Sequence, residues 1–239
     1  MKKTILIFLN LLIISTLAFS QKKSRKDYLV TLTTDFGTMH LILYDETPKH
    51  KENFVKLAKQ KFFDGLLFHR IIEGFMIQGG DPTSRNAKPN AHLGSGGDSL
   101  TRIPFEFQPN RIHKKGTLAA ARDGNPEKAS SACQFYLVQG KKISEEELTA
   151  TQARNKMNYS AEQREIYKTI GGVPRLDNGY TVFGQVIDSP IGNQAVIDSI
   201  AKQPRNQFDR PTKDISMKMT VKKMRKKKIT RKFGYVFEP

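Results

Sequence analysis

Short stretches dense in β-branched and aromatic residues recur along this chain, and turn residues stop nearly all of them. From Tyr28 the pattern alternates: Val30 and Leu32 fall on one face, a DFG turn follows, and Met39, Leu41 and Leu43 repeat at period two. That spacing predicts a β-hairpin opening a sheet. The run LLFHRIIEGFMIQGGD predicts two short strands flanking a bend at Gly74 and stopped at Gly79-Gly80-Asp81. A glycine-rich loop, HLGSGGDS, follows, and further strand candidates lie around Phe105, Leu118, Phe135 and Val182. Many short strands divided by turns point to a mainly β sandwich or barrel.

Helices enter as coverings. In DETPKHKENFVKLAKQKFF, Thr47 is placed to cap, Pro48 suits the first helical position, and Phe54, Val55, Leu57 and Ala58 share a side. GNQAVIDSIAKQ predicts a second amphipathic helix, with Val196, Ile197, Ile200 and Ala201 on one side behind an Asn193 cap. Residues 141 to about 170 break the strand rhythm. There SEEELTATQARNKM and SAEQREIYKTI each open on a capping-box pattern, Ser144 to Glu147 and Ser160 to Gln163, which predicts a helical excursion between two strands.

The opening MKKTILIFLNLLIISTLAFSQ has lysines, an apolar run and then Ala18-Phe19-Ser20, and reads as a cleavable export signal. Asn10 interrupts the run, which is shorter than the ~20 apolar residues a spanning helix needs, so an uncleaved anchor is the weaker reading. Export to a periplasm is expected if the source has two membranes. What remains fits one domain with decorations better than two. Cys133, the single cysteine, cannot form an internal disulfide and reads as a small buried apolar residue. The formal charge is +17, with the excess concentrated in KMTVKKMRKKKITRK, which suits a solvated tail or an anionic partner. His40, His50, His69, His92 and His113 show no metal-ligand spacing, and GSGGDS is too short and misplaced for a phosphate loop.

The string FHRIIEGFMIQGGD, followed in order by GSGGDS, GTLAAAR, ACQFYLV and YTVFGQV, resembles the cyclophilins over roughly residues 28 to 221. The resemblance implies a closed eight-stranded antiparallel β-barrel capped by two α-helices. It makes the 141–170 excursion a helical insertion in a domain over 27–221, leaving 1–20 as signal peptide and 222–239 as a basic tail. So small a barrel is filled by its own side chains, so the substrate site would lie on the outer face. By the same resemblance Arg70 and Gln78 match catalytic positions. Phe75, Met76, Ala121, Gln134, Tyr136, Leu176 and Tyr180 match substrate-binding positions, and no metal or cofactor is implied. The chain departs from the family pattern in three places: Glu73 replaces a proline common before the glycine bend, Arg175 stands where relatives carry tryptophan or histidine, and Arg122 stands where others often have asparagine. Because of Arg175, high-affinity binding of cyclosporin-like peptides is not carried over, and because of Arg122 and its loop, neither is a sequence preference.

The residue types suit prolyl isomerisation on chemical grounds. Rotation about an amide costs about 18–20 kcal/mol because it breaks resonance, and no bond is cleaved, so neither a nucleophile nor a metal is required. In the twisted state the imide nitrogen regains a lone pair, and a guanidinium aimed at it binds that state better than the planar one. Arg70 stays charged and carries rigidly placed donors that a lysine lacks. Phe75, Met76 and Leu176 would grip the proline ring, and Gln78 would hydrogen-bond a substrate carbonyl. In extended strands Met76 and Gln78 share a side, as do Phe68, Arg70 and Ile72.

Blander readings exist: Arg70 as an ordinary surface arginine, Phe75 and Met76 as core. Together, these neighbours favour an exposed apolar pocket with a few polar groups. The sequence thus predicts an isomerase acting on proline-containing peptides and unfolded exported clients. The alternative is a proline-peptide-binding chaperone module with little turnover. A monomer is expected, with an anionic surface as a further partner of the basic end and no nucleic acid.

Overall fold

The computed structural model describes residues 24–89, 91–189 and 193–238, so the expected export signal lies outside the described residues. The expected hairpin is formed by Lys26–Thr34 (β1) and Gly37–Leu43 (β2). Val30 faces Leu41 and Leu32 faces Met39 across it, and all four side chains enter the main core. Phe68–Ile72 (β3) and Met76–Gly79 (β4) flank the bend at Gly74. Thr117–Ala120 (β5), Phe135–Val138 (β6), Val182–Val186 (β7) and Lys218–Arg225 (β8) complete one antiparallel sheet of order β3-β4-β6-β5-β7-β2-β1-β8. The sheet curls around a core in which Phe54, Phe63, Phe135 and Phe183 meet largely edge to face. Cys133 lies in this core, and burial raises its thiol pKa.

The continuously closed barrel needs correction: the ladder ends at β3 on one side and β8 on the other. The two ends meet through a short seam beyond the strands, where Gly65 and Phe68 donate N–H to the carbonyls of Met217 and Ile215, and Met217 donates to Leu66. β8 commits its length to β1, from Lys26–Arg225 to Thr33–Lys218. Past the seam, Ile71 donates to the carbonyl of Asp209 in a loop, so β3 meets no strand there. The strand expected around Phe105 is also absent. Phe105 is 52% exposed and stacks on Phe107, and its neighbourhood makes only the single bridge Ile103–Ser130.

Pro48–Lys59 (α1) buries Phe54, Val55, Leu57 and Ala58 as expected, with Pro48 in its first turn. Thr47 does not cap it: its hydroxyl turns back toward the Tyr44 carbonyl. The Glu106 carboxylate accepts from the N–H groups of Lys49 and His50 instead, placing a remote negative charge on the helix N-terminus. Glu145–Asn155 (α2) and Ala161–Thr169 (α3) form the excursion between β6 and β7. Ser160 and Gln163 make the full reciprocal box, whereas Ser144 only accepts from Glu147 N–H. Ala195–Ala201 (α4) buries Val196, Ile197, Ile200 and Ala201, but it starts after Gln194 and has no side-chain cap, so Asn193 is not its cap.

The basic end is folded and not a loose tail. β8 continues to Arg225, and Lys226–Phe233 (α5) follows it directly. Ile229 and Phe233 stand one turn apart on a single helix side and bury against Leu29, Ile42 and Ile187, leaving Lys227, Lys228 and Lys232 outward. Among the described residues no helix is long and apolar enough to cross a membrane.

Candidate active site

A β-bulge aims Arg70. Phe68 faces Gly79 and Arg70 faces Gln78, so two residues of β3 oppose one of β4. The extra residue, His69, breaks the expected alternation. Phe68 stays in the core, correcting the reading that put it beside Arg70, while Arg70 and Ile72 turn outward. The bend beyond is a closed turn in which Phe75 donates N–H to the Ile72 carbonyl. Gly74, at φ +74°, occupies the position that requires the left-handed region, and its N–H donates to Gln139 Oε1 at 2.7 Å. The turn is thus secured although Glu73 replaces proline.

From that bulge a row runs across the outer face: Arg70 opposes Gln78, Gln78 opposes Tyr136, and Tyr136 opposes Ala119. Directly opposed side chains on neighbouring strands stand about 4.5–5.5 Å apart at Cβ, so the guanidinium, the amide and the aromatic ring share one strip. Beside it lies an apolar cluster separate from the core. It includes Met76, Tyr136 and Leu176, with Phe75, Ala121 and Tyr180 packed against it at half-burial. Met76, Tyr136 and Leu176 are 2%, 4% and 7% exposed, so they form its floor, and Phe75 and Tyr180 are its accessible walls.

The Arg70 side chain is 41% exposed, with Nε 3.4 Å from Asp209 Oδ2. Among the described residues no hydrogen bond engages its two terminal nitrogens. Asp209 is shared: its other oxygen is 3.1 Å from Arg205 Nη1, which also bonds the Ile71 carbonyl. Gln78 donates to Gln134 Oε1 at 3.1 Å, and Gln134 donates to the carbonyls of Gly94 and Gly96. The glycine-rich loop thereby fixes the amide next to Arg70. An open cavity of about 280 Å³ adjoins Gln78, Ala121 and Gln134 and reaches Arg122; Phe75, Met76, Tyr136, Leu176 and Tyr180 do not line it.

Two further groups support the floor, and the sequence carried no signal for either. The buried Asp177 carboxylate accepts from His113 N–H, the Tyr159 hydroxyl and the Tyr167 hydroxyl, and lies 2.6 Å from His113 Nδ1. His113 Nε2 is 2.9 Å from the Tyr136 hydroxyl. Burial pushes the Tyr136, Tyr159 and Tyr167 hydroxyls up in pKa, so all three stay protonated as hydrogen-bonding groups. Tyr159 precedes α3 and Tyr167 lies on it, so the excursion is tied to Asp177, the neighbour of Leu176, and from there through His113 to Tyr136. Spacings of 23 and 64 residues between His113 and its partners follow from the tertiary fold alone.

Comparisons with known proteins converge. A family model described as cyclophilin type peptidyl-prolyl cis-trans isomerase/CLD matches residues 29–222. A putative bifunctional phosphatase/peptidyl-prolyl cis-trans isomerase of Streptococcus pyogenes is 36% identical over 189 residues, covering 78% of this chain and 37% of that protein. The chain thus spans little more than a third of that relative. A putative peptidyl-prolyl cis-trans isomerase of Staphylococcus aureus is 34% identical over 189 residues, covering 78% of this chain and 87% of that one. The crystal structure of a Cryptosporidium parvum cyclophilin type isomerase shares the fold, with a TM-score of 0.59, 21% identity, and coverage of 82% of this chain and 98% of that one. A second crystal structure of that isomerase was obtained in the presence of the dipeptide Ala-Pro, with a TM-score of 0.58, 21% identity, and coverage of 81% and 98%.

Proposed function

This chain belongs to the cyclophilin-type peptidyl-prolyl cis-trans isomerases, and from that premise we propose that it accelerates X-Pro isomerisation on the outer-face strip, with Arg70 stabilising the twisted amide. The observation that carries the reading is the register of Arg70, Gln78 and Tyr136 on three neighbouring strands beside the apolar cluster of Phe75, Met76 and Leu176. A proline ring resting on that cluster would bring its nitrogen toward the unengaged terminal nitrogens of Arg70. Gln78, held by Gln134, would take a substrate carbonyl and keep one end of the peptide still while the other rotates.

Uncatalysed exchange takes tens to hundreds of seconds, so a turnover near 10³ per second needs roughly 6–7 kcal/mol of preferential transition-state stabilisation. A charge-assisted donor in a partly desolvated strip, together with orientation, is of that order. A protease-coupled assay on an Ala-Pro peptide tests the reading. The expected result is turnover that Arg70→Lys lowers by at least about a hundredfold, since an ammonium lacks the planar fork. Turnover in the variant close to that of the parent chain rejects the mechanism.

The clients are read as exported polypeptides, on the strength of the N-terminal signal pattern, and the working form as a periplasmic monomer. The basic end supports a separate role. β8 and α5 present Lys222, Lys223, Arg225, Lys227, Lys228 and Arg231 beside Arg25 and Lys26, a surface suited to anionic polymers or headgroups. Binding to anionic vesicles that salt abolishes is expected, and equal binding to neutral vesicles counts against it.

A further inference from the structure

Two arginines stand on the aromatic walls of the apolar cluster. The Arg175 guanidinium lies 4.3 Å from the centroid of the Phe75 ring, and that of Arg122 lies 4.8 Å from the centroid of Tyr180. Arg175 is exposed, and Arg122 is half-buried, donating to the carbonyls of Gly179 and Asp123. Neither is paired with a carboxylate among the described residues. Phe75 and Tyr180 pack against the same apolar cluster, so the two arginines border the same notch. Of the carboxylates around the site, Asp209 is taken by Arg70 and Arg205, Asp123 by Arg102, and Asp177 by its buried network, while Asp98 is exposed and lines the cavity that Arg122 reaches. Glu73 on the bend is exposed.

We infer that Arg175 and Arg122 are specificity-determining residues that select proline substrates bearing an acidic residue near the proline. The inference rests on the strip being the isomerase site. A guanidinium over an aromatic ring gains from the ring's negative face, so its position is set before substrate arrives; among the described residues Arg175 has no hydrogen-bond partner, and Arg122 keeps one terminal nitrogen unengaged. An extended peptide advances about 3.3 Å per residue, so a side chain within two or three positions of the proline can reach either arginine. Lysine-bearing peptides meet repulsion at the same places. Partly exposed charge pairs are individually weak, so two of them give a preference of about twofold to thirtyfold at low salt.

The test uses the full chain and isomer-exchange NMR, which needs no coupling protease, on short peptides with Glu, Gln or Lys at each of two positions on either side of a single proline. The expected result is a Glu-to-Lys ratio of kcat/KM of about twofold to thirtyfold at the most sensitive position, shrinking to within twofold in 1 M salt. The same ratio is expected to fall at least twofold in Arg175→Gln and to fall further in Arg175→Glu. The ratio is read within each variant, so a general loss of activity does not mimic the effect. Turnover of the Gln peptides with no charge preference overturns the inference alone. Absence of exchange catalysis on every peptide instead overturns the isomerase reading.

Discussion

At the scale of single residues, the decisive event is the one-residue bulge at His69. Without it Arg70 would follow the alternation set by Phe68, and a residue two positions from a core side chain would point into the core. The residue types of the site were legible because FHRIIEGFMIQGGD carries them in one contiguous string. The bulge was not, because only the pairing of β3 with β4 reveals the extra residue. Asp209 was equally hidden, being brought to Arg70 by a loop 139 positions downstream. Its pair with Arg70 is partly exposed, so Asp209→Asn is expected to change kcat/KM by no more than about fivefold, against at least a hundredfold for Arg70→Ala. Comparable losses in the two variants would mean that the ion pair, and not the free fork, is the working unit.

At the scale of elements, alternation located β1 and β2, runs dense in β-branched and aromatic residues located β3 to β7, one-sided apolar spacing located α1 and α4, and capping patterns located the excursion, whereas β8 was not read and the strand expected around Phe105 is absent. Periodicity failed where charge density masked the pattern. In KKKITRKF only Ile229 and Phe233 are apolar, yet their one-turn spacing suffices to dock α5 on β1 and β2. Phe233→Ala is therefore expected to lower stability by about 3 kcal/mol in urea denaturation, while Lys228→Ala stays within about 0.5 kcal/mol. A tail in solvent would show neither change. The excursion carries a matching experiment. Asp177 accepts from His113, Tyr159 and Tyr167, so Asp177→Ala strands buried donors and is expected to cost about 3–5 kcal/mol. Tyr167→Phe, which removes one donor only, is expected to cost about 1–2 kcal/mol. An unperturbed unfolding midpoint for Asp177→Ala contradicts the network.

At the scale of the whole molecule, the fold class was legible from many short strands punctuated by glycine, whereas the way the sheet ends was not. Closure depends on how much of β8 remains after pairing β1 and on the loop at Asp209, neither of which leaves a local pattern. Stability is expected to decline in acid. Burial holds the His69 imidazole down to about 4 in pKa, so the folded chain resists a proton that the unfolded chain accepts from about pH 6.5 downward. This group costs nothing above that pH, and its penalty grows between about pH 6.5 and 4, to about 3 kcal/mol at most, then levels off. A urea midpoint unchanged from pH 7 to pH 4.5 contradicts it. The central claim is that Arg70 acts on the twisted amide rather than on the resting peptide. The most direct measurement is isomer-exchange NMR on an Ala-Pro peptide titrated with the parent chain and with Arg70→Ala. The expected result is an affinity altered less than about threefold while catalysed exchange falls at least a hundredfold; exchange that is undiminished, or that falls only in proportion to lost binding, contradicts the account.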